Sequence, residues 1–148
     1  MFKKNHQKKI FIFTDGGARS NPGPAALGVV IKDENDNLIK EYGEFLGEKT
    51  NNEAEYEAVI SALKKVKHLF GKKKIKETEV TIKTDSELLA KQLNGEYKIE
   101  NANLQPLFMK IWNLKIDFGG INFQHVAREQ SKRADRLVND ILNKSSLF

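Results

Sequence analysis

The stretch Thr14-Asp15-Gly16-Gly17-Ala18-Arg19-Ser20-Asn21-Pro22-Gly23 directly follows the apolar run Ile10-Phe11-Ile12-Phe13. This order predicts a buried strand that ends at Thr14, so that Asp15 lies where a glycine-rich turn begins. A buried strand would fix the backbone of the carboxylate, and Gly16 and Gly17 lack the side chains that would keep a substrate backbone away. Asp-Gly is also a common hairpin signal, so this stretch alone favours an ordinary turn. Carboxylates later in the chain decide between the two interpretations.

The composition predicts one globular, soluble domain over residues 1–148, with 39% hydrophobic and 30% charged residues. No run approaches the roughly 18 apolar residues that cross a bilayer, so no membrane partner is expected. The basic first nine residues precede only a short strand-like run and no small-residue cleavage site, so we expect no signal peptide. The absence of cysteine excludes disulfides and thiolate metal sites, and favours a cytoplasmic location.

The charge balance is basic: 25 Lys and Arg residues stand against 20 Asp and Glu residues, with a net charge of +5. Such a balance suits a polyanionic partner, although it is weak evidence alone. The densest basic piece covers residues 64–76. A solvated helix end is at least as good an interpretation of that piece as a nucleic-acid patch, because lysines near a helix C-terminus complement its dipole.

Alternating and helical hydrophobic periods predict nine elements in the order βββαβααβα. This order indicates an α/β fold with one five-stranded mixed sheet flanked by helices. The third helix should place Leu104, Leu107, Phe108, Ile111 and Trp112 on one apolar side. The predicted strands cover residues 9–14, 26–32, 38–46, 80–84 and 121–126, and the helices cover about 52–70, the segment from 85, 104–114 and the segment from about 132.

Four carboxylates occupy strand ends or helix faces, and only folding can bring them together: Asp15, Glu55, Asp85 and Asp135. Glu55 lies four residues before Val59 in an apolar helix stripe, so it needs a buried partner. Asp85 has an equally good interpretation as a helix N-cap, and Asp135 could simply favour the positive end of the last helix. Converging carboxylates repel one another unless cations neutralise them. Such a cluster suits two Mg²⁺ ions and indicates phosphodiester hydrolysis.

The chain resembles a type 1 ribonuclease H from the first strand to the last helix. The motifs that carry the resemblance are Thr14-Asp15-Gly16-Gly17 with Asn21-Pro22-Gly23-Pro24, Thr50-Asn51-Asn52 with Glu53-Ala54-Glu55-Tyr56, Thr84-Asp85-Ser86, and His125-Val126-Ala127-Arg128-Glu129-Gln130 leading to Ala134-Asp135. The resemblance implies an RNase H-like fold in which the four carboxylates bind two Mg²⁺ ions, with Mn²⁺ expected to substitute. It also implies cleavage of the RNA strand of an RNA·DNA hybrid, leaving a 5′-phosphate and a 3′-hydroxyl.

The resemblance also assigns residues around the carboxylates. His125 matches a histidine that assists proton transfer or product release, although the segment after it has no glycine to make it mobile. Asn21, Asn51 and Asn52 match residues that read 2′-hydroxyls, and helix capping is the alternative for Asn51 and Asn52. The remaining matches are Thr50 and Asn101, which would grip a phosphate of the DNA strand, and Gly16 and Gly17, which would let the substrate approach.

The sequence departs from the family at three places. Glu48 stands where a basic residue often helps Thr50, and only residues 94–101 fill the space of the basic handle found in many bacterial members. Within that short segment, Tyr97 could touch the DNA strand or pack in the core. We also expect no separate hybrid-binding domain before the first strand, so the chain resembles the short-handled form of the family. The rival functions are a non-catalytic nucleic-acid-binding or accessory domain on the same fold, and another nuclease such as a proofreading exonuclease. The sequence indicates no obligate protein partner.

Overall fold

The computed structural model describes residues 8–145. These residues form five strands and four α-helices, with a short 3₁₀ turn at Arg128–Ser131 before the last helix. The strands are β1 (Lys8–Ala18), β2 (Gly23–Asp33), β3 (Leu38–Lys49), β4 (Thr78–Thr84) and β5 (Gly120–His125). The helices are α1 (Asn51–Ile75), α2 (Glu87–Leu93), α3 (Gln105–Ile116) and α4 (Lys132–Ser145).

The strands form one mixed sheet in the order β3-β2-β1-β4-β5. The first three strands make antiparallel pairs, while β4 lies parallel to β1 and β5 lies parallel to β4. The predicted α/β class, element order and mixed five-stranded sheet are therefore confirmed. Within residues 8–145, no helix has the length and apolar character needed to cross a lipid bilayer.

The main core lies between the sheet and α1. Alternate residues of the central strands, such as Ile10 and Ile12 of β1, are completely buried. They pack against the apolar stripe of α1, which includes Val59, Leu63 and Val66. A second, smaller cluster lies under α4 on the opposite face of the sheet, where Ala26 meets Val138 and Leu142. Helices on both faces thus bury the centre of the sheet.

The prediction that the first strand ends at Thr14 and that a turn begins at Asp15 is wrong. Asp15 pairs with Gly28 inside the β1–β2 ladder, and the pairing continues through Gly16 and Gly17 to Ala18. Glycine can adopt extended backbone as readily as a turn, so two glycines do not force the chain to bend here. The carboxylate is therefore held by a regular two-stranded ladder.

The interpretations of Asn51 or Asn52 as the cap of α1, and of Asp85 as the cap of α2, are also wrong. The N-cap of α1 is Thr50, whose hydroxyl accepts a hydrogen bond from the Glu53 amide while the Glu53 carboxylate accepts one from the Thr50 amide. The N-cap of α2 is Ser86, whose hydroxyl accepts from the Leu89 amide. Asp85 therefore does not cap α2, and its carboxylate is left for another role.

The third helix buries fewer residues than its sequence predicts. Leu107 and Ile111 are buried, but Trp112 is 48% exposed and stacks on Phe108 with ring centroids 5.8 Å apart. Tyr97 is 49% exposed, which excludes the core-packing interpretation of that residue. The Trp112 and Tyr97 rings therefore leave apolar surface open to solvent.

Glycines let both central helices lie directly against the strands. A Cβ added at Gly16 would lie 2.3 Å from the carbonyl carbon of Ala54 in α1, and one added at Gly28 would lie 2.3 Å from the carbonyl oxygen of Ala134 in α4. Gly16 pairs with Leu27 and so faces away from the side of the sheet to which Gly28 belongs. Close contact on both faces fixes where Glu55 and Asp135 can be, since each lies next to one of these alanines.

We expect the variant Gly28→Ala to lose about 1–3 kcal/mol of unfolding free energy, because the methyl group must displace the α4 backbone. Gly17→Ala is the matched control on the same strand pair, since its methyl group would meet only Val138 at an ordinary 3.6 Å. Urea unfolding of both variants measures the difference. Equal stability of the two variants would contradict the close α4 packing.

Candidate active site

The four predicted carboxylates line one cleft. Asp15 lies on β1, Glu55 on the second turn of α1, Asp85 directly after β4, and Asp135 on the first turn of α4. The cleft has a volume of about 350 Å³. The four carboxylates are far apart in the sequence, and folding brings them together in this cleft.

The sheet topology explains this convergence. Because β1 and β4 are adjacent and parallel, Asp15 near the end of β1 lies beside Asp85, which follows β4. Helix α1 brings Glu55 in from the face where Gly16 lies, and α4 brings Asp135 in from the face where Gly28 lies. The cleft is thus the place where two strands and two helices meet.

Burial and like charges suppress the ionisation of Asp15. Burial is the larger cause of a pKa raised from 3.8 to about 8, followed by the negative charge of Asp85 and by a side-chain hydrogen bond to Asp135. Glu55 and Asp135 also repel its charge. A hydrogen bond between two carboxyl groups requires a proton on one of them. Without a cation, the cleft therefore retains protons near neutral pH.

Glu55 shows the same effect on the other side of the cleft. Burial raises its pKa from 4.5 to about 7, a hydrogen bond from the Ser86 hydroxyl opposes the rise, and Asp85 adds to it. The predicted location of Glu55 on a partly buried helix face is confirmed. A carboxylate in this environment needs either a proton or a cation.

The donor set fits a hard divalent cation. Carboxylate oxygens are the ligands that Mg²⁺ prefers, and Mg²⁺ uses only one or two of them together with water and substrate phosphate oxygens. In the described residues, no three acidic or histidine side chains already form a metal cage. A site that also relies on water and substrate phosphate oxygens does not need such a cage.

Two predicted asparagines form a connected pair at the mouth of the cleft. The backbone N–H of Asn51 donates a hydrogen bond to the side-chain oxygen Oδ1 of Asn21 at 2.8 Å. The backbone N–H of Ala18 donates to Oδ1 of Asn51 at the same distance. These bonds tie the β1–β2 loop to the start of α1. Both side-chain carbonyl oxygens already accept backbone amides, and within residues 8–145 the side-chain N–H groups of Asn21 and Asn51 have no hydrogen-bond partner.

The other predicted substrate residues lie on exposed or half-exposed backbone. Asn52 is exposed on the first turn of α1, and Thr50 precedes it as the cap. Asn101 accepts a hydrogen bond from the Asn103 amide at 2.7 Å just before α3. Gly16 and Gly17 line the carboxylate cleft itself.

His125 is the last residue of β5, is exposed, and pairs with Thr84 next to Asp85. It is not among the residues that line the carboxylate cleft. Its place at the end of β5 restrains its backbone. The catalytic role of His125 stays a prediction.

Sequence reasoning missed two side chains that contact the carboxylates. Arg128 Nε lies 3.5 Å from Asp85 Oδ2, and the Arg128 side chain is 88% exposed. Asn139 donates a hydrogen bond to Asp135 at 3.2 Å, one helical turn further along α4. The spacing of Asn139 from Asp135 is a readable i, i+4 signal, whereas the approach of Arg128 depends on the 3₁₀ turn at the start of α4.

This chain is similar to known proteins over most of its length. The family model described as reverse transcriptase-like matches residues 13–141. The solved structure of LC11-RNase H1, isolated from compost by a metagenomic approach, is 45% identical with a TM-score of 0.87, and the match covers 93% of this chain and 97% of that one. A second structure of LC11-RNase H1 is a complex with an RNA/DNA hybrid.

Two further relatives are each 34% identical to this chain. Ribonuclease HI of Halobacterium salinarum matches over 91% of this chain and 65% of its own length. The bifunctional protein Rv2228c of Mycobacterium tuberculosis also matches over 91% of this chain, which spans 36% of that protein. The chain therefore spans only part of these curated relatives.

The raised pKa values predict a pH-dependent stability in the absence of divalent cations. The folded protein retains protons that the unfolded chain releases near pH 4, so its stability falls as pH rises towards about 8. Asp15→Asn removes the repelled charge and should unfold at higher urea than the parent at about pH 8, with a much smaller difference at about pH 4. Asp140→Asn, on the exposed side of α4, is the control. An equal difference at both pH values would contradict the proposed charge repulsion.

Proposed function

Because this chain belongs to the type 1 ribonuclease H family, we propose that it hydrolyses the RNA strand of RNA·DNA hybrids and leaves a 5′-phosphate and a 3′-hydroxyl. The observation that carries this proposal is the convergence of Asp15, Glu55, Asp85 and Asp135 in one cleft, with two pKa values raised. A protein that only bound nucleic acid would gain nothing from four carboxylates, since their charge repels phosphate unless cations neutralise it.

The four carboxylates would hold two divalent cations, Mg²⁺ or Mn²⁺. When bound, such cations activate the attacking water and stabilise the charge on the leaving oxygen of an in-line displacement. The chain's own contribution is to hold the carboxylates on packed elements before the substrate arrives. Asn139 restrains Asp135 through a hydrogen bond, and the Ser86 hydroxyl does the same for Glu55.

Strand choice would depend on the asparagines at the mouth of the cleft. In RNA–protein recognition, the 2′-hydroxyl distinguishes RNA from DNA. Asn21 and Asn51 would donate from their side-chain nitrogens to that oxygen, because their carbonyl oxygens accept backbone amides. Asn52 would add a further donor and acceptor, while Thr50 and Asn101 would contact the DNA strand. Gly17 would leave room for the RNA backbone beside Asp15, while Gly16, which also lines the cleft, lets the α1 backbone carry Glu55 up to the same place.

The decisive assay compares labelled hybrid, duplex RNA, duplex DNA and single strands with Mg²⁺, Mn²⁺ or EDTA. We expect cleavage of the RNA strand of the hybrid with either cation and none in EDTA. Asp15→Asn should raise the activation free energy by several kcal/mol, on the scale of lost metal catalysis, so that turnover nearly vanishes. Asp140→Asn, at an exposed position of α4 outside the cleft, should retain parental activity. Cleavage by Asp15→Asn at the rate of Asp140→Asn would refute the proposal.

His125 would move a proton rather than bind a cation. We expect His125→Ala to lower turnover roughly 10- to 100-fold, a loss at or below the range for one acid–base group. The dependence of activity on Mg²⁺ should be unchanged. Gln124→Ala, also exposed on the preceding position of β5, is the matched control. Unchanged turnover per folded molecule together with a lower melting temperature would make His125 a structural residue only.

A further inference from the structure

A second groove, separate from the carboxylate cleft, opens between β3 and α1. Its volume is about 720 Å³, and no residue that lines it also lines the carboxylate cleft. The groove exists because α1 packs mainly on β1 and β2, while β3 is the edge strand of the sheet. The space beside β3 is therefore bounded by side chains from two elements and remains open to solvent.

Three lysines give the groove its charge. Lys40 comes from β3, and Lys64 and Lys65 come from α1. Within residues 8–145, none of the three takes part in an ion pair. Of the two acidic residues that line the groove, Glu57 already faces Lys49 at 3.8 Å, which leaves Glu44 as the other. The groove therefore has surplus positive charge.

Hydroxyl and apolar side chains line the groove together with the lysines. The Tyr42 and Ser61 hydroxyls form a hydrogen bond of 2.7 Å that joins β3 to α1 across its base. The Lys65 ammonium lies over the Tyr42 ring, 5.2 Å from the centroid, so this lysine is held beside the groove. Leu46 and Ile60 supply apolar lining. Phosphate oxygens would meet ammonium and hydroxyl donors here, and a sugar would meet the apolar side chains.

The position of the groove relates it to the candidate active site. Lys64 follows the cleft carboxylate Glu55 by nine residues on the same helix, which corresponds to about 14 Å at 1.5 Å per residue. One strand of a nucleic acid covers that distance in about four nucleotides at roughly 3.4 Å per step. A hybrid of ordinary length could therefore contact both places at once, and a very short hybrid could not.

We propose that the groove between β3 and α1 is a second phosphate-binding site, occupied by a strand of the substrate about four nucleotides from the point of cleavage. The inference rests on the proposed function, because it takes the carboxylate cleft as the place where the hybrid is cut. Lys40, Lys64 and Lys65 bind the backbone and carry no base selectivity.

The test measures KM and kcat for hybrids of 6 and 20 base pairs at several salt concentrations. A 6-base-pair hybrid centred on the cleft extends about three nucleotides each way and does not reach the groove. The double variant Lys64→Gln, Lys65→Gln should raise KM for the long hybrid only and leave kcat unchanged. It should also make the fall of log(1/KM) with log salt less steep by about 1.8, because each lost phosphate contact contributes about 0.9 in B-DNA.

The matched control is Lys72→Gln, Lys73→Gln, which removes the same charge from the end of α1 outside the groove. It should leave the length dependence in place. Equal effects of the two double variants would show diffuse charge attraction and overturn the site. Cleavage of the short hybrid by all proteins tests the proposed function separately, because it does not involve the groove.

A free nucleotide is the other source of the same chemistry. Adenosine 5′-monophosphate is therefore titrated against ¹⁵N-labelled parent protein while the amide signals of Lys40, Ser61 and Lys64 are followed. Shifts together with the length dependence support the site. Shifts without the length dependence would assign the groove to free nucleotides and overturn its assignment to the substrate strand.

Discussion

The structure depends on backbone contact between helices and strands at glycine. Gly16 lets α1 touch β1, and Gly28 lets α4 touch β2 on the opposite face. Each contact fixes an acidic residue next to the touching alanine, Glu55 in one case and Asp135 in the other. Side chains at these two positions would move the helices outward and separate the carboxylates. Packing, rather than attraction between the acidic groups, therefore assembles the cleft.

The electrostatic cost follows from that assembly. Four carboxyl groups are held close in a partly buried cleft, so Asp15 and Glu55 retain protons up to pH values near 8 and 7. Arg128 reduces the negative charge from the rim beside Asp85, but its side chain is almost fully exposed and solvent screens it. Stability is given up where the proposed reaction needs negative charge, which is common at functional sites.

Most of the fold and the four carboxylates could be predicted from the sequence, because hydrophobic period and motif order are local signals. The end of β1 could not, since glycines permit both a turn and a ladder and only β2 decides between them. Trp112 fits the helical stripe of α3 but lies outside the area that the core covers. Arg128 and the groove beside β3 arise from tertiary placement, for which no spacing in the chain is a signal.

The central claim is that divalent cations replace protons in the carboxylate cleft. Calorimetric titration of the protein with Mg²⁺ at about pH 7, in buffers of different ionisation enthalpy, counts the protons released on binding. We predict net proton release that decreases above about pH 8 and is smaller for Asp15→Asn, because the raised pKa values of Asp15 and Glu55 return towards ordinary values when a cation binds. Mg²⁺ binding with no proton release at about pH 7, or no Mg²⁺ binding at all, would contradict this account.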